Sequence, residues 1–419
     1  MHQPTGGYFQ TFIEQASAEG QLVVQPRMGF AEIEQMRAGL SAVAELSCPT
    51  LGTITLDSYT RVGDYHSAAQ CLNSGSALNG FPIVSHSLPA VQALLRGLYG
   101  PRFPIQVRHG TAQPQTIFKR MAALGLDATE GGPVSYCMPY SRLPLVQAVA
   151  AWAESCQLLA DASAHGHIES FGGCLLGQLC PPSLLIAMSL LEALFFRQHG
   201  IRSVSLSYAQ GTSMAQDLGA LQALRELADD YLDGIHWHVV VYSYMGVFPT
   251  SDHGARRLIC DSARLASMAG CERLIVKTVA ESRQIPSVQD NLDALSMASG
   301  VAAEPPLAHD PASAGYYQEV LFEARQLVEQ VRNLHNDLGV ALVLAFTRGL
   351  LDIPYCLHPD NLGRATTRID AAGALRWANV GNLPLPRSSG LSVTGPGIRS
   401  DELFAMLHYT VNRYDQPLH

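Results

Sequence analysis

The feature that most restricts the fold is an alternation of short β-branched runs with longer helical segments, sustained over residues 21–350. QLVVQP (21–26), GTITLDSY (52–59), FPIVSH (81–86), FPIQVRHG (103–110), GPVSY (132–136), HIESFG (167–172), RSVSLSYAQ (202–210), HWHVVVYS (236–243), ERLIVKT (272–277) and ALVLAF (341–346) read as strands. Between them, segments such as FAEIEQMRAGLSAV and TIFKRMAAL space apolar residues three and four apart, the helical repeat. Strands separated by helices need crossovers, and crossovers build parallel sheets. Ten candidates exceed the eight strands of a minimal barrel, so an extra strand or two is expected.

Polar residues fall where these strands end. Arg27 follows VVQP, Arg61 follows TITLDSY, Arg108 ends PIQV, Glu169 sits in HIESFG and Lys277 ends LIV. Polar chemistry gathered at many strand ends is the layout of a TIM-type (β/α)8 barrel, whose site lies at the C-terminal face of its strands. A doubly wound sheet concentrates it at one crevice instead. The expected organisation is a lead-in over 1–20, a barrel over 21–350 holding the site, and an irregular C-terminal extension over 351–419. That tail, rich in Pro, Gly and Asn, is expected to wrap the barrel or to contact a partner.

Composition excludes some partners. A net charge of -9 leaves no basic footprint for nucleic acid. The apolar run 184–196 carries Ser189 and Glu192 and is shorter than the roughly 18 residues of a membrane helix, so it reads as a buried helix. None of the nine cysteines is spaced C-x-x-C. With no signal peptide in MHQPTGGYFQ, reduced thiols in the cytoplasm are expected.

Three constellations carry candidate chemistry. Arg27, Arg61 and Arg108 each follow an apolar strand, and three planar guanidinium groups converging would suit a small dicarboxylate; the bland alternative is three unrelated surface pairs. In TEGGPVSYCMPYSR (129–142), Glu130 would suit an ammonium group, with Tyr136 and Tyr140 as hydroxyl-bearing walls. The same segment also reads as a Gly-Pro turn with two packing tyrosines. Its Cys137 is expected to turn away into the barrel wall. Lys277 and Glu281 stand four apart, as a simple ion pair or as a donor and an acceptor for ribose-like hydroxyls. Only two of the 27 basic residues are lysine, Lys119 and Lys277.

Two further patterns are weaker. His165 with His167, and His236 with His238, form H-x-H pairs of the kind a metal-dependent barrel hydrolase uses, but no further ligands follow, so no metal is assigned. DYHSAA (64–69) nearly matches the D-x-H-x-x-G run that presents a histidine to cobalamin, but its last residue is alanine, and it reads as accidental.

Taken together, the strings QPRMG, TITLDSYTR, LNGFPIV, QVRHGT, TEGGPVSYCMPY, CPPS, YMGVFP, IVKT and DIPY, in this order over 21–355, resemble the large (epsilon) subunit of glutamate mutase, also called methylaspartate mutase. The resemblance implies a TIM-barrel subunit working with adenosylcobalamin to interconvert L-glutamate and (2S,3S)-3-methylaspartate by a radical route. It implies that Arg27, Arg61 and Arg108 grip the substrate carboxylates, that Glu130 meets the ammonium, and that Tyr136 and Tyr140 contact substrate. It places Lys277, Glu281 and Ile285 against the adenosyl group, and Gly29, Thr55, Asn79, Pro139 and Met245 at cofactor-contacting positions. It further implies a homodimer that works with two small cobalamin-binding (sigma) subunits carrying D-x-H-x-x-G, because a cobalamin domain of about 100 residues finds no room after residue 351. CLHPDNLG after DIPY, the short N-terminal lead and YSYMG depart from the family pattern.

Overall fold

In the computed structural model, residues 7–305, 308, 310–386 and 398–416 are described; residues 1–6 of the lead-in and 387–397 and 417–419 of the extension lie outside them. The described residues form eight parallel strands: β1 (Val23–Pro26), β2 (Gly52–Thr55), β3 (Ile105–Arg108), β4 (Ala128–Gly131), β5 (His167–Ser170), β6 (Ser203–Ala209), β7 (His236–Tyr242) and β8 (Arg273–Val276). From β2 onward each pairs with the next, and β8 pairs with β1. A parallel bridge from Val24 to Thr50, with the Val24 N–H donating to the Pro49 carbonyl at 3.0 Å, joins β1 to the start of β2 and rounds off the ring. Helices surround it, and the fold is the TIM-type (β/α)8 barrel that the strand-helix alternation predicts.

Among the described residues the barrel has eight strands, without the extra one or two expected. Two candidates are not strands. FPIVSH makes one bridge, Leu56 to Phe81, and then turns about Pro82, whose carbonyl accepts from the Ser85 and His86 N–H groups at 3.0 and 3.1 Å. ALVLAF lies in the helix Leu338–Arg348. An apolar run of six fits a buried strand or a buried helix equally. Its flanks decide: the Asp337 carboxylate caps the Val340 N–H at 3.0 Å, and Gly349 ends the helix at φ 75°. A third candidate is displaced, since β4 is the preceding ATEG and GPVSY is a turn, its Tyr136 N–H bonded to the Gly132 carbonyl.

The barrel interior is unusually polar for this fold, where Val, Ile and Leu normally dominate. Gln25 donates to Thr53 at 2.8 Å and to Gln106 at 2.7 Å. Arg273, fully buried, donates to Gln25, Glu169, His238 and Ser205. Buried charges persist only when paired and hydrogen-bonded, which this network achieves. The helix Tyr8–Ala18 closes the N-terminal end: Phe9 packs 4.5 Å from the His167 ring and under the Arg273 guanidinium, and Ser203 donates to Gln10 at 2.9 Å. Access to the interior is therefore directed to the opposite face.

The helix Pro182–Gln198 is buried from Pro182 to Phe196, as the apolar run predicts, and no described helix is long and apolar enough to cross a membrane. The tail is more ordered than its composition suggests. Strands β9 (Thr366–Ile369) and β10 (Leu375–Asn379) form an antiparallel hairpin, followed by helices Ser400–Leu407 and Tyr409–Tyr414. Gln216 on a barrel helix holds the hairpin by two bonds to the Leu375 backbone, both 2.9 Å.

Candidate active site

At the C-terminal mouth of the barrel lies a cleft of about 320 Å³, lined by residues that include Arg27, Thr55, Arg61, Arg108, Glu130, Tyr136, Tyr140 and Met245. All three predicted arginines reach this one cavity by different routes. Arg27 follows β1 and donates to Glu281 at 3.2 Å. Arg61 ends a one-turn helix that starts where Asp57 accepts from the Tyr59 and Thr60 N–H groups, at 2.9 and 3.0 Å. Its Nε is anchored on the Leu56 carbonyl at 2.9 Å, which leaves the rest of the fork toward the cleft. Arg108 is the last residue of β3 and is 4% exposed.

Arg108 Nε meets Glu130 Oε2 at 2.6 Å. Burial opposes both charges, but the Arg108 charge and the hydrogen bonds hold the Glu130 carboxyl below the usual carboxylate range. For Arg108, burial is likewise outweighed by Glu130, and the guanidinium stays above its ordinary value. Glu130 also accepts from the Tyr136 hydroxyl and, at 2.7 Å, from Tyr242. Burial and then the nearby Glu130 charge push the Tyr136 phenol upward, so it stays a donor. Beside this group Lys277 donates to Glu281 at 3.0 Å; burial draws the Lys277 ammonium down to about 8, with Glu281 opposing.

The remaining predicted residues are placed as follows. Thr55 and Met245 line the cleft, and Thr55 Oγ1 is buried without a hydrogen-bond partner. Gly29 lies behind Thr55, where a Cβ would stand 2.2 Å from the Thr55 carbonyl oxygen. Lys277 and Glu281 join the cleft through Arg27. Asn79 is exposed and accepts from the Ser58 N–H at 2.9 Å, bracing the helix of Arg61 without lining the cleft. Pro139 is half-buried between the two tyrosines, and Ile285 is exposed on the loop after β8; neither lines the cleft. Cys137 turns away, as expected, but onto the C-terminal segment: its thiol donates to the Leu143 carbonyl at 3.2 Å and lies 3.8 Å from His358 Nε2. Burial raises that thiol to about 11.

Two neighbours escape sequence reasoning. His109, next to Arg108, lines the cleft; burial lowers it to about 3, so it is neutral. Its Nδ1 accepts from the Thr111 N–H at 3.2 Å, which places the hydrogen on an unpartnered Nε2. Tyr242, the last residue of β7, bridges Glu130 to Glu169. Their positions at strand ends were the available signal.

The histidine pairs do not converge. His165 and His236 are exposed, whereas His167 and His238 stack at 5.2 Å inside the barrel, hydrogen-bonded to serines and to Arg273. Among the described residues no group of three His, Cys, Asp or Glu is placed to hold a metal ion. DYHSAA begins a surface helix, with His66 hydrogen-bonded to Gln70 at 3.0 Å.

The family described as methylaspartate mutase E chain (MutE) matches residues 3–390. The chain is 31% identical over 397 residues to the glutamate mutase epsilon subunit of Escherichia coli O157:H7, covering 90% of this chain and 81% of that protein. The epsilon subunit of Yersinia enterocolitica is 31% identical over 402 residues, 92% of this chain and 82% of the relative. That of Haloarcula marismortui is 30% identical over 397 residues, 91% and 80%.

Proposed function

Because this chain belongs to the methylaspartate mutase E chain family of mutase catalytic subunits, we propose that it interconverts L-glutamate and (2S,3S)-3-methylaspartate with adenosylcobalamin, together with a separate cobalamin-binding small subunit. One observation carries the substrate: three guanidinium groups and one ionised carboxylate share a single cleft of about 320 Å³. That inventory is the complement of two carboxylates and one ammonium. Arg27, Arg61 and Arg108 bind and orient the carboxylates, each able to offer two parallel N–H donors. Glu130 accepts from the ammonium and holds any proton it takes at a carboxylate oxygen, while Tyr136 and Tyr140 line the wall. Neutral His109 adds a donor without adding charge.

The residues present also fit an adenosyl group. The Thr55 hydroxyl is buried and unpartnered, Gly29 permits close backbone packing behind it, and Lys277 with Glu281 offers a donor and an acceptor suited to ribose hydroxyls. When bound, the cofactor supplies the radical that removes a substrate hydrogen. This chain's part is to fix the substrate and to exclude water, helped by the closed N-terminal end of the barrel. A homodimer flanked by two small subunits is the proposed assembly. Purified chain with adenosylcobalamin and L-glutamate is expected to show negligible turnover until a D-x-H-x-x-G small subunit is added. Turnover by the chain unaided would overturn the partner, and none with the partner would overturn the activity.

A further inference from the structure

The helix Pro182–Gln198 is buried from Pro182 to Phe196, and the one ionisable group in that span is Glu192, which is 0% exposed and lies outside the barrel wall. A buried carboxylate is costly to keep, so its partners indicate its use. Oε1 accepts from the Val134 N–H at 3.1 Å and the Ser135 N–H at 2.8 Å. Oε2 accepts from the Ser135 and Ser170 hydroxyls, both at 2.9 Å. Three of these four bonds go to the turn that follows β4, and the fourth to the last residue of β5. The chain makes room for this arrangement: a Cβ on Gly132 would stand 2.1 Å from the Glu192 carboxyl carbon.

That turn is the piece that brings Tyr136 back over β4. Its N–H groups at Val134 and Ser135 have no strand to pair with, and the next residue, Tyr136, places its phenol on Glu130. We propose that Glu192 is a positioning residue: by holding residues 134 and 135 it sets the Tyr136 hydroxyl on Glu130, and so fixes the orientation of the carboxylate that receives the substrate ammonium. This rests on the proposed function for the role of Glu130, but the hold on the turn stands independently of it.

The test compares Glu192→Met and Glu192→Gln in the full chain assembled with its small subunit. Glu192→Met removes all four acceptor contacts at similar volume, and kcat/KM is expected to fall about tenfold or more, with weaker L-glutamate binding by calorimetry. Glu192→Gln is expected within about threefold of wild type, because its oxygen keeps the two N–H groups while its amide donates to serine hydroxyls that can rotate to accept. In a Tyr136→Phe background, Glu192→Met is expected to cost less than about threefold more, since its effect runs through the missing hydroxyl. Hydrogen exchange at the Val134 and Ser135 amides is expected to accelerate in Glu192→Met alone. A folded Glu192→Met with wild-type kcat/KM, with protected amides, or with its full cost retained in Tyr136→Phe would overturn the inference. If Glu192→Met does not fold, Ser135→Ala replaces it, with about a threefold loss expected and the same dependence on Tyr136; no loss overturns the inference equally. Wild-type chain that fails to bind L-glutamate would instead remove the proposed substrate, and amide exchange would still decide whether Glu192 holds the turn.

Discussion

Arg108→Lys separates charge from geometry at the centre of the cleft. Arg108 spends Nε on Glu130 at 2.6 Å, makes a long contact from Nη2 to the Tyr242 hydroxyl at 3.4 Å, and lines the cleft with the rest of its fork. A lysine has one nitrogen on a flexible stem, and the buried Glu130 carboxylate will claim it. The substrate carboxylate then loses the parallel pair of donors. A hydrogen bond to a charged group contributes about 1.5–3 kcal/mol. With Arg27 and Arg61 able to compensate in part, the net loss is about 2–4 kcal/mol, or roughly 30- to 1,000-fold in kcat/KM. Folding should hardly notice, because Glu130 keeps a cation and its two tyrosines; losing the guanidinium over the Tyr242 ring, 5.2 Å from its centroid, costs about 1 kcal/mol. The melting temperature is expected to drop by only about 1–2 °C. The assay is turnover of L-glutamate by the assembled enzyme over a substrate series, with thermal unfolding of the same preparation. Wild-type kcat/KM would refute the carboxylate assignment. Lost activity with a fall in melting temperature beyond about 10 °C would show a folding role instead.

Glu130→Gln removes the charge that faces the ammonium, so L-glutamate binding should weaken by about 10- to 100-fold while glutarate, which lacks the amine, binds as before; calorimetry with both ligands checks this, and equal losses would refute it. Gly132→Ala should lower stability by about 1–3 kcal/mol, because its Cβ would stand 2.1 Å from the Glu192 carboxyl carbon and push that carboxyl off its hydrogen bonds to Val134, Ser135 and Ser170; denaturant unfolding reads the change. Asp217→Asn should flatten the pH dependence of stability. Burial raises Asp217 to about 7 despite bonds from the Tyr208 hydroxyl and the Gly211 N–H. A carboxyl raised in the folded state binds more protons there than when unfolded, so its contribution is present below its unfolded value and is lost as pH rises toward 7. The gap in melting temperature between pH 4 and pH 8 should therefore be smaller in the variant than in wild type.

The sequence by itself determined the fold class, because a period-2 run followed by a period-3.6 run is a local property and crossovers between parallel strands leave few architectures. It also located Arg27, Arg108, Glu130 and Lys277, since a charged residue at or directly after the end of a buried strand must emerge at one face of the sheet, whereas Arg61 and Tyr136 stand six and five residues beyond their strands and are brought back by the turns between. It misplaced three strands for an equally local reason: ALVLAF, FPIVSH and GPVSY are short apolar runs whose partners lie far away in the chain. Only the tertiary structure decided that Glu130 is ionised by Arg108, that Tyr242 joins it to Glu169, and that Glu192 holds the turn bearing Tyr136. Those relations span 22, 73 and 57 residues of chain. They depend on distances of about 3 Å in a buried, low-dielectric interior, where a single contact decides a charge state, and nothing in the spacing of letters along a chain encodes that distance.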